Sequence, residues 1–547
     1  MAFKKIEVTR PRGINKDLSP YEMPNEIWSN GNNVDFQNSR VNVAKGYSRL
    51  FENATIPSIY HAEAYNDGSS DYWFFASVST LQRTDGVNVV DVSRDYTFPD
   101  PSAPFYNFNY TPEYLSGGDR LHGGWSSCVF NGALIFNNGA DEPQFYNVTE
   151  SEFENLTAWP TTERCEVIRP FKNYLIALNM TINTNDKRPT MVKWSDAAPL
   201  GGVPSSWSAT NPSSQAGYNI LPDTQGEIID GKALSDTFFI YKNDAVWAMQ
   251  FIGGNFVFSF RKVFSDAGML AKGCVAEFNN KHFVVGVDDI YIHDGTTKKS
   301  VSTSKIHDYF YNDINTGFIN KVKCVSDTTS KEIIVYYPTS SSIGGVANRA
   351  IVWNWASDTW SIRDLKNTYQ ITQGIVSEDV DGRIWGVGQD KPYPAGTKTW
   401  ESSTDVWNTQ TYNPSINSLV YIVNDIDDSS NNGFYLGNSG VTFDGDGYTS
   451  FVEREGIDFG DDKGYKYIHA VYPHIVGEGT IKVYIGTEEQ AGSGVSWSAP
   501  QEFVLGEDYK VNFRESGRYI AIRFESVTNT PWSLTGYSVE YSLEGRQ

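Results

Sequence analysis

No apolar run in this chain approaches the roughly 18 residues that an ordinary membrane helix needs, which excludes such a span. Cysteine is nearly missing. Cys128, Cys165, Cys274 and Cys324 stand singly with no C-x-x-C spacing, so they read as small buried hydrophobes of a reducing compartment rather than as a disulfide framework. The opening MAFKKIEVTRPRGINKDLSP carries basic residues but no apolar h-region, so no secretory signal is expected and the chain reads as made and kept in a cytoplasm. Positive charge is scarce as well: 44 Lys and Arg stand against 66 Asp and Glu, a formal charge of −22. A basic footprint, the minimum for gripping nucleic acid by its phosphates, is therefore absent. Acidity suits a wall that DNA slides past without sticking, although solubility is the ordinary explanation for it. Helix-period stretches longer than a turn or two are lacking too, and the chain reads as nearly all β.

What the chain has is glycine (47 residues), aromatics (14%) and an imperfect repeat. A short apolar strand, a polar turn and an aromatic-rich strand recur between about Tyr72 and Trp385, at intervals typical of propeller blades. The clearest copies are Thr237–Phe251, Lys281–Gly295 and Arg349–Leu365; looser ones are Asp71–Val78, Asn131–Val148, and Asn173–Met180 followed by Pro189–Asp196. Steps between equivalent strand residues are uneven, 45 from Phe239 to Val284 and 50 from Val284 to Ile334. The expected fold is an all-β β-propeller of six or seven blades followed by a C-terminal β-sandwich. Residues 1–55 are expected as an N-terminal hairpin or platform segment, with Val34–Phe36 and Arg40–Val43 pairing about Gln37-Asn38-Ser39. Residues 56–395 would hold the propeller with inserted loops, 396–445 a linker or irregular insertion, and 446–547 the sandwich, built on Ile481–Ile485, Tyr519–Phe524 and Leu534–Tyr541. Long excursions at Asp100–Gly124, at Ala197–Gln215 and over 391–440 are candidate contact surfaces.

The chemistry that sequence motifs can announce is thin. His61, His122, His282, His293, His307, His469 and His474 form no H-E-x-x-H or H-x-H pair; the closest, His469 and His474, flank Pro473 and read as strand-end residues rather than metal ligands. Asp425–Ser430 begins like a calcium loop, but Ser430 replaces the turn glycine and Leu436 the bidentate glutamate, so a solvated acidic loop is expected. Gln490–Trp497 keeps the Gly and Trp of a sialidase-type Asp-box without its Asp. Asp288-Asp289 and Asp461-Asp462 read as turn residues rather than a glycosidase carboxylate pair. No G-x-S-x-G elbow or P-loop occurs. The sequence therefore nominates no catalytic, cofactor-binding or metal-binding residue and no cofactor.

Several stretches together resemble the tail nozzle (tail tubular) proteins of short-tailed bacteriophages: Glu26–Val34 with Gly46–Leu50, Lys193–Asp196 with Trp207, the long segment Phe238–Gly295, and Trp497–Pro500, Ser516–Arg518 and Gly536–Tyr541. The resemblance spans most of the chain and is weakest between Asp390 and Tyr448. It implies a structural, non-enzymatic subunit of a virion tail, assembled in the host cytoplasm as a homohexameric ring. That ring would dock a head-to-tail adaptor and tail fibres or spikes, retain packaged double-stranded DNA, and conduct it at infection without sequence-specific binding. Two other classes compete: a carbohydrate-active propeller such as a tail depolymerase, and a receptor-binding module that presents Trp and Tyr on the sandwich.

Overall fold

The computed structural model describes residues 4–51, 56–66, 71–77, 80–94, 124–147, 149–183, 186–254, 256–375, 377–378, 384–385, 417–425, 428–490, 492–527 and 529–544. Among them the regular secondary structure is almost entirely antiparallel strand, with one short α-helix at His307–Asp313. The Asp100–Gly124 excursion lies outside the described residues, apart from its last one.

Five four-stranded sheets follow one another in sequence, each adding its strands in chain order. The first begins at His61–Asn66, the second at Ser126–Phe130, the third at Arg164–Phe171, the fourth at Ile228–Leu234 and the fifth at Val275–Phe278. In the second to fifth sheets a two-residue turn joins the first two strands, as the pairs Phe130↔Ala133, Phe171↔Tyr174, Leu234↔Thr237 and Phe278↔Lys281 show. Asn131-Gly132 and Asn279-Asn280 hold positive φ at both positions, the geometry whose twist matches paired strands. Asn tolerates that region through local hydrogen bonding, which explains the asparagine-rich texture of the chain. The repeat copies Thr237–Phe251 and Lys281–Gly295 are the middle hairpins of the fourth and fifth sheets, whereas Arg349–Leu365 falls on the paired strands Ala347–Asn354 and Thr359–Ile375 of the next sheet.

A nine-stranded sheet then contains two further runs. Its 17-residue strand Thr359–Ile375 is shared: Thr359–Asp364 pairs with Ala347–Asn354, whereas Thr368–Ile375 pairs with Asn417–Val423. Bulges on both sides and a positive φ at Asn367 mark the change of partner, since a bulge sharpens local bend and twist. The sixth run is thus Lys323–Asp327, Glu332–Tyr337, Ala347–Asn354 and Thr359–Asp364. The seventh is Thr368–Ile375, Asn417–Val423, Gly433–Gly437 and, from the other end of the chain, Tyr47–Arg49. Within segment 396–445, expected as a linker or irregular insertion, the described residues supply three strands of this sheet, Asn417–Val423, Gly433–Gly437 and Thr442–Phe443.

Apolar layers sit between consecutive sheets. Phe74 and Phe136 share one between the first and second, Leu175 and Ile135 one between the second and third, and Ile176 and Phe238 one between the third and fourth. Phe239, Phe283 and Trp353 continue through the fifth to the sixth run, and Ile334 with Tyr421 join sixth to seventh. Finally Trp73 and Phe434 join the seventh run to the first sheet. Gly374 permits that last contact, because a Cβ there would lie 2.1 Å from the Trp73 ring.

Apart from the two-stranded pair Ser377–Glu378 with Ile384–Trp385, the strands outside these sheets form two six-stranded sheets. One contains Tyr465–Gly477, Val511–Gly517 and Trp532–Glu544; the other contains Phe451–Ile457, Thr480–Glu488 and Tyr519–Ser526. The hairpin Val34–Gln37/Arg40–Val43 forms as expected, but the N-terminal residues do not stand ahead of the sheets as a separate piece. Lys4–Thr9 and Arg40–Val43 both pair with Trp532–Glu544, and Asn30–Asn32 pairs with Phe451–Ile457. Trp28 supplies the reason: it is buried between Phe524 and Tyr537, 6.2 and 5.9 Å away between ring centroids. The fully buried Arg454 clamps the same segment, donating to the carbonyls of Pro20 and Met23 at 2.7 Å each.

Candidate functional site

First strands of neighbouring sheets lie side by side, and they carry a concentration of charge. From His61–Asn66 come His61 and Glu63, from Arg164–Phe171 comes Arg169, from Ile228–Leu234 come Asp230 and Lys232, and from Lys323–Asp327 comes Lys323. Lys272 joins them from the turn before the fifth sheet.

Arg169 grips Asp230 with two parallel bonds of 2.9 and 3.0 Å and donates a third to the Ser127 carbonyl at 3.2 Å, the strong bidentate geometry of a guanidinium and a carboxylate. Asp230 also accepts the backbone N–H groups of Gly231 and Gly273 at 2.7 and 3.0 Å. Burial opposes its ionised form, but Arg169 and these donors outweigh it and hold the carboxyl below its usual range. Glu63 goes the other way: burial raises its pKa against one hydroxyl bond, from Ser127 at 2.7 Å. His61 Nε2 lies 2.7 Å from the same Ser127 oxygen, so the order is His61, Ser127, Glu63. A nucleophilic triad needs the carboxylate on the far side of the imidazole. Here it holds the serine, and His61 Nδ1 is buried.

The cations divide into two kinds. Lys272 Nζ is fastened by the carbonyls of Gly124 and Glu166, 2.7 Å each. Among the described residues Lys232 and Lys323 make no hydrogen bond, and both side chains remain partly accessible. The Lys323 stem runs along Gly273, its Cγ 3.4 Å from where a Cβ would stand. Burial, with Lys321, Lys272 and Arg169 as like-charged neighbours, pushes its pKa down to about 7; burial lowers Lys232 as well.

A second polar group joins the fourth and fifth sheets. His282 and His293 face each other across the Lys281–Val285/Ile290–His293 hairpin, with the Tyr241 hydroxyl 2.6 Å from His282 Nδ1 and 2.7 Å from His293 Nε2. The Gly295 N–H donates to His293 Nδ1 at 3.2 Å, which fixes every proton along the chain. His293 Nε2–H donates to Tyr241, the tyrosine hydroxyl donates to His282 Nδ1, and His282 Nε2–H donates to the Ala233 carbonyl at 3.1 Å. Both imidazoles are neutral; burial pushes them down to about 3 and about 4 respectively. Neither cluster has a motif signature, but the second could have been found from the repeat copy Lys281–Gly295, whose strand register sets the two histidines opposite each other.

The residues singled out by motif lie elsewhere. His469 meets the Ser542 hydroxyl at 2.9 Å, and His474 stands 4.0 Å from Glu7. Asp425 accepts from the Asn431 side chain at 3.0 Å, Asp428 caps Ser430, and Leu436 is a buried strand residue; residues 426 and 427 lie outside the described set. Asp289 accepts from the hydroxyls of Ser300 and Ser302 at 2.8 and 2.9 Å, while Asp461 accepts the N–H groups of Lys463 and Gly464. Gln490–Trp497 ends in a short strand of the sandwich. Among the described residues no group of three or more His, Cys, Asp or Glu is placed to hold a metal ion, and all four cysteines are free. The Ala197–Gln215 loop is closed by Asp196, which accepts N–H groups from both Ala197 and Gln215 at 2.9 Å. Trp207 is buried against Trp159 while Leu200 is 99% exposed at the loop's tip.

Comparison with protein-family models gives no match, and comparison with curated proteins gives none either.

Proposed function

We propose that the chain is a structural subunit of a short-tailed phage tail, a nozzle protein whose seven sheet units form a β-propeller closed by Tyr47–Arg49. The propeller reading is supported by the unbroken succession of apolar layers from first sheet to seventh run and back to the first. The tail reading rests on the stretches that resemble nozzle proteins. The observation that carries its structural character is how both chain ends are used: residues 4–49 and 417–544 are woven together in the sandwich and in the seventh run. A body fastened this way presents loops outward and has no hinge between its parts, as a subunit that bears load in a homohexameric tube requires. Its acidic surface suits passage of DNA without adhesion. Adaptor, fibres and neighbouring copies would meet the loops, and the exposed Leu200 and Phe256 are apolar points for such contacts.

Mass of the purified protein in solution, alone and with adaptor-capped particles, tests the proposal. Hexamers in either setting support it; a monomer in both removes the tube.

One observation favours a carbohydrate-active reading instead. Glu63 and Asp230 are pushed in opposite directions, the pattern of a general acid beside an ionised carboxylate. Against it, Asp230 is occupied by Arg169 and two backbone donors. Clearance of capsular polysaccharide by the native protein, lost in Glu63→Gln, would establish the enzyme; no clearance by either removes it.

A further inference from the structure

We infer that the outer face of the sandwich sheet built on Tyr465–Gly477 binds an uncharged oligosaccharide, with a sugar ring on Tyr472 and sugar hydroxyls on Glu7, His474 and Glu540. The site uses other strands than Glu63 and Asp230 and needs no ring of subunits, so it stands apart from the tail proposal.

Strand pairing brings these groups together. Ile468 and Val471 both point into the core, three residues apart, which a regular strand with its two-residue period cannot do. A bulge between Ile468 and Ala470 absorbs the difference against both neighbouring strands and re-aims the residues that follow. His469 and His474, five apart and on opposite faces of an unbroken strand, therefore share the outer face with Tyr472. Register sets Lys5 opposite Glu540, and Glu7, Ser538 and Tyr472 in one row. The Tyr472 hydroxyl donates to Glu540 at 2.8 Å, Lys5 Nζ lies 4.8 Å from the centre of the Tyr472 ring, and His474 Nδ1 stands 4.0 Å from Glu7. Ser538, in the middle of the row, is 1% exposed, and its hydroxyl has no hydrogen-bond partner among the described residues.

The chemistry of the face selects the ligand. A tyrosine ring is an apolar plate with a polar edge. Around it, carboxylates accept hydrogen bonds, an ammonium donates them, and an imidazole and a hydroxyl do either. A sugar presents the counterpart, a C–H face ringed by hydroxyls that both donate and accept. Two groups able to carry positive charge, Lys5 and His474, face two carboxylates, so the face offers little hold to a polyanion or a polycation. Tyr467 and His469, with ring centroids 4.8 Å apart, continue the stripe. From Tyr467 to His474 the strand runs roughly 20 Å, which suits several linked sugars rather than one.

Affinity electrophoresis of the full-length protein tests the inference, in native gels cast with dextran, mannan, galactan or xylan and, for comparison, dextran sulfate. At least one neutral polysaccharide should retard the protein, and dextran sulfate should not retard it more. Tyr472→Ala should weaken this binding tenfold or more and Glu540→Gln at least threefold, whereas Tyr472→Phe, which keeps the ring, should retain most of it. Circular dichroism and melting show whether each variant is folded. Modification of His474, 38% exposed, by diethyl pyrocarbonate is read by peptide mass mapping and needs no variant. The retarding polysaccharide should slow it at least threefold and leave His307, 31% exposed, unaffected. Retardation by none of the four neutral polymers would overturn the inference, as would full binding by folded Tyr472→Ala or labelling of His474 that the polysaccharide does not alter. Labelling of His474 that falls with protein concentration alone would also overturn it, and would make the face a contact between copies of the chain.

Discussion

At the seam where the N-terminal strands meet the sixth run, Arg363 lies fully buried between two carboxylates. It reaches Asp35 at 2.5 and 2.8 Å and Glu332 at 2.6 Å, and the Gln37 amide satisfies the other glutamate oxygen at 3.1 Å. Around the first strands the Arg169–Asp230 pair looks similar, yet among the described residues Lys232 and Lys323 stand beside it without a hydrogen bond. The seam uses buried charge to fasten two parts of the chain, with Nε and Nη2 of Arg363 both held by carboxylate oxygens. The first strands instead gather charges that do not all pair directly: Lys232 has Asp230 and Glu277 nearby, and Lys323 has Lys321, Lys272 and Arg169. Burial alone does not make a charge part of a structural ion pair; the hydrogen bonds it forms do.

The sharpest way to break this contrast is to unbalance the seam. Arg363→Met leaves Asp35 and Glu332 buried against each other, and urea denaturation should show a loss of about 3–5 kcal/mol. A loss under 1 kcal/mol would mean that the carboxylates reach water and the seam is not dry. Next comes acid. His282 and His293 have folded pKa values of about 3 and about 4 against 6.5 for the free side chain. Between those limits the unfolded chain binds more protons, so stability falls as pH drops from 6.5 toward 4, and His293 alone accounts for about 3 kcal/mol of the fall. In His293→Gln the slope of stability against pH in this window should be shallower, by about one proton; an unchanged slope would show that the imidazole is not held neutral.

The first strands should respond with the opposite sign to the seam. Lys323 has a folded pKa of about 7 against 10.5 unfolded, so the whole cost of its enclosed charge is present below about pH 7 and stability rises as pH climbs from there toward 10.5. At pH 6, Lys323→Met should therefore stabilise the protein, by something on the order of 1 kcal/mol, and the gain should vanish by pH 10. Destabilisation at pH 6 would place Lys323 with the paired charges of the seam. Smallest of all is Leu200→Asp, outside both regions. It should change melting by less than about 0.5 kcal/mol while lowering the yield of rings in light scattering, if the tail proposal holds.

Sequence reasoning reached the sheets through their middle strands, because hairpins such as Thr237–Phe251 and Lys281–Gly295 carry the apolar alternation and the turn residues locally. It did not reach the pairing of Tyr47–Arg49 with Gly433–Gly437, or of Lys4–Thr9 with Trp532–Glu544, since a three- or six-residue strand states nothing about a partner at the far end of a chain. The cations of the first strands escaped for a related reason. Arg169, Lys232 and Lys323 come from three different sheets, and each is an ordinary residue in its own strand. Only their convergence is informative, and convergence is a property of topology. The calcium-like loop at Asp425 shows the converse: a local pattern that its structural setting, with Leu436 inside a sheet, does not use.

The strand Tyr47–Arg49 has a consequence for how the protein is made. During synthesis it leaves the ribosome long before Gly433–Gly437 exists, and the N-terminal strands must likewise wait for Trp532–Glu544. Sheets one to six can form as they are completed, but the last run and the sandwich cannot close until nearly the whole chain has been translated, and such long-range pairing is slow. Unfinished chains therefore keep their two ends unpaired, while full-length ones hide them. Ribosome stalling before Trp532–Glu544 should leave Lys4–Thr9 and Arg40–Val43 open to protease, so protection of these strands reports that translation has passed their partner.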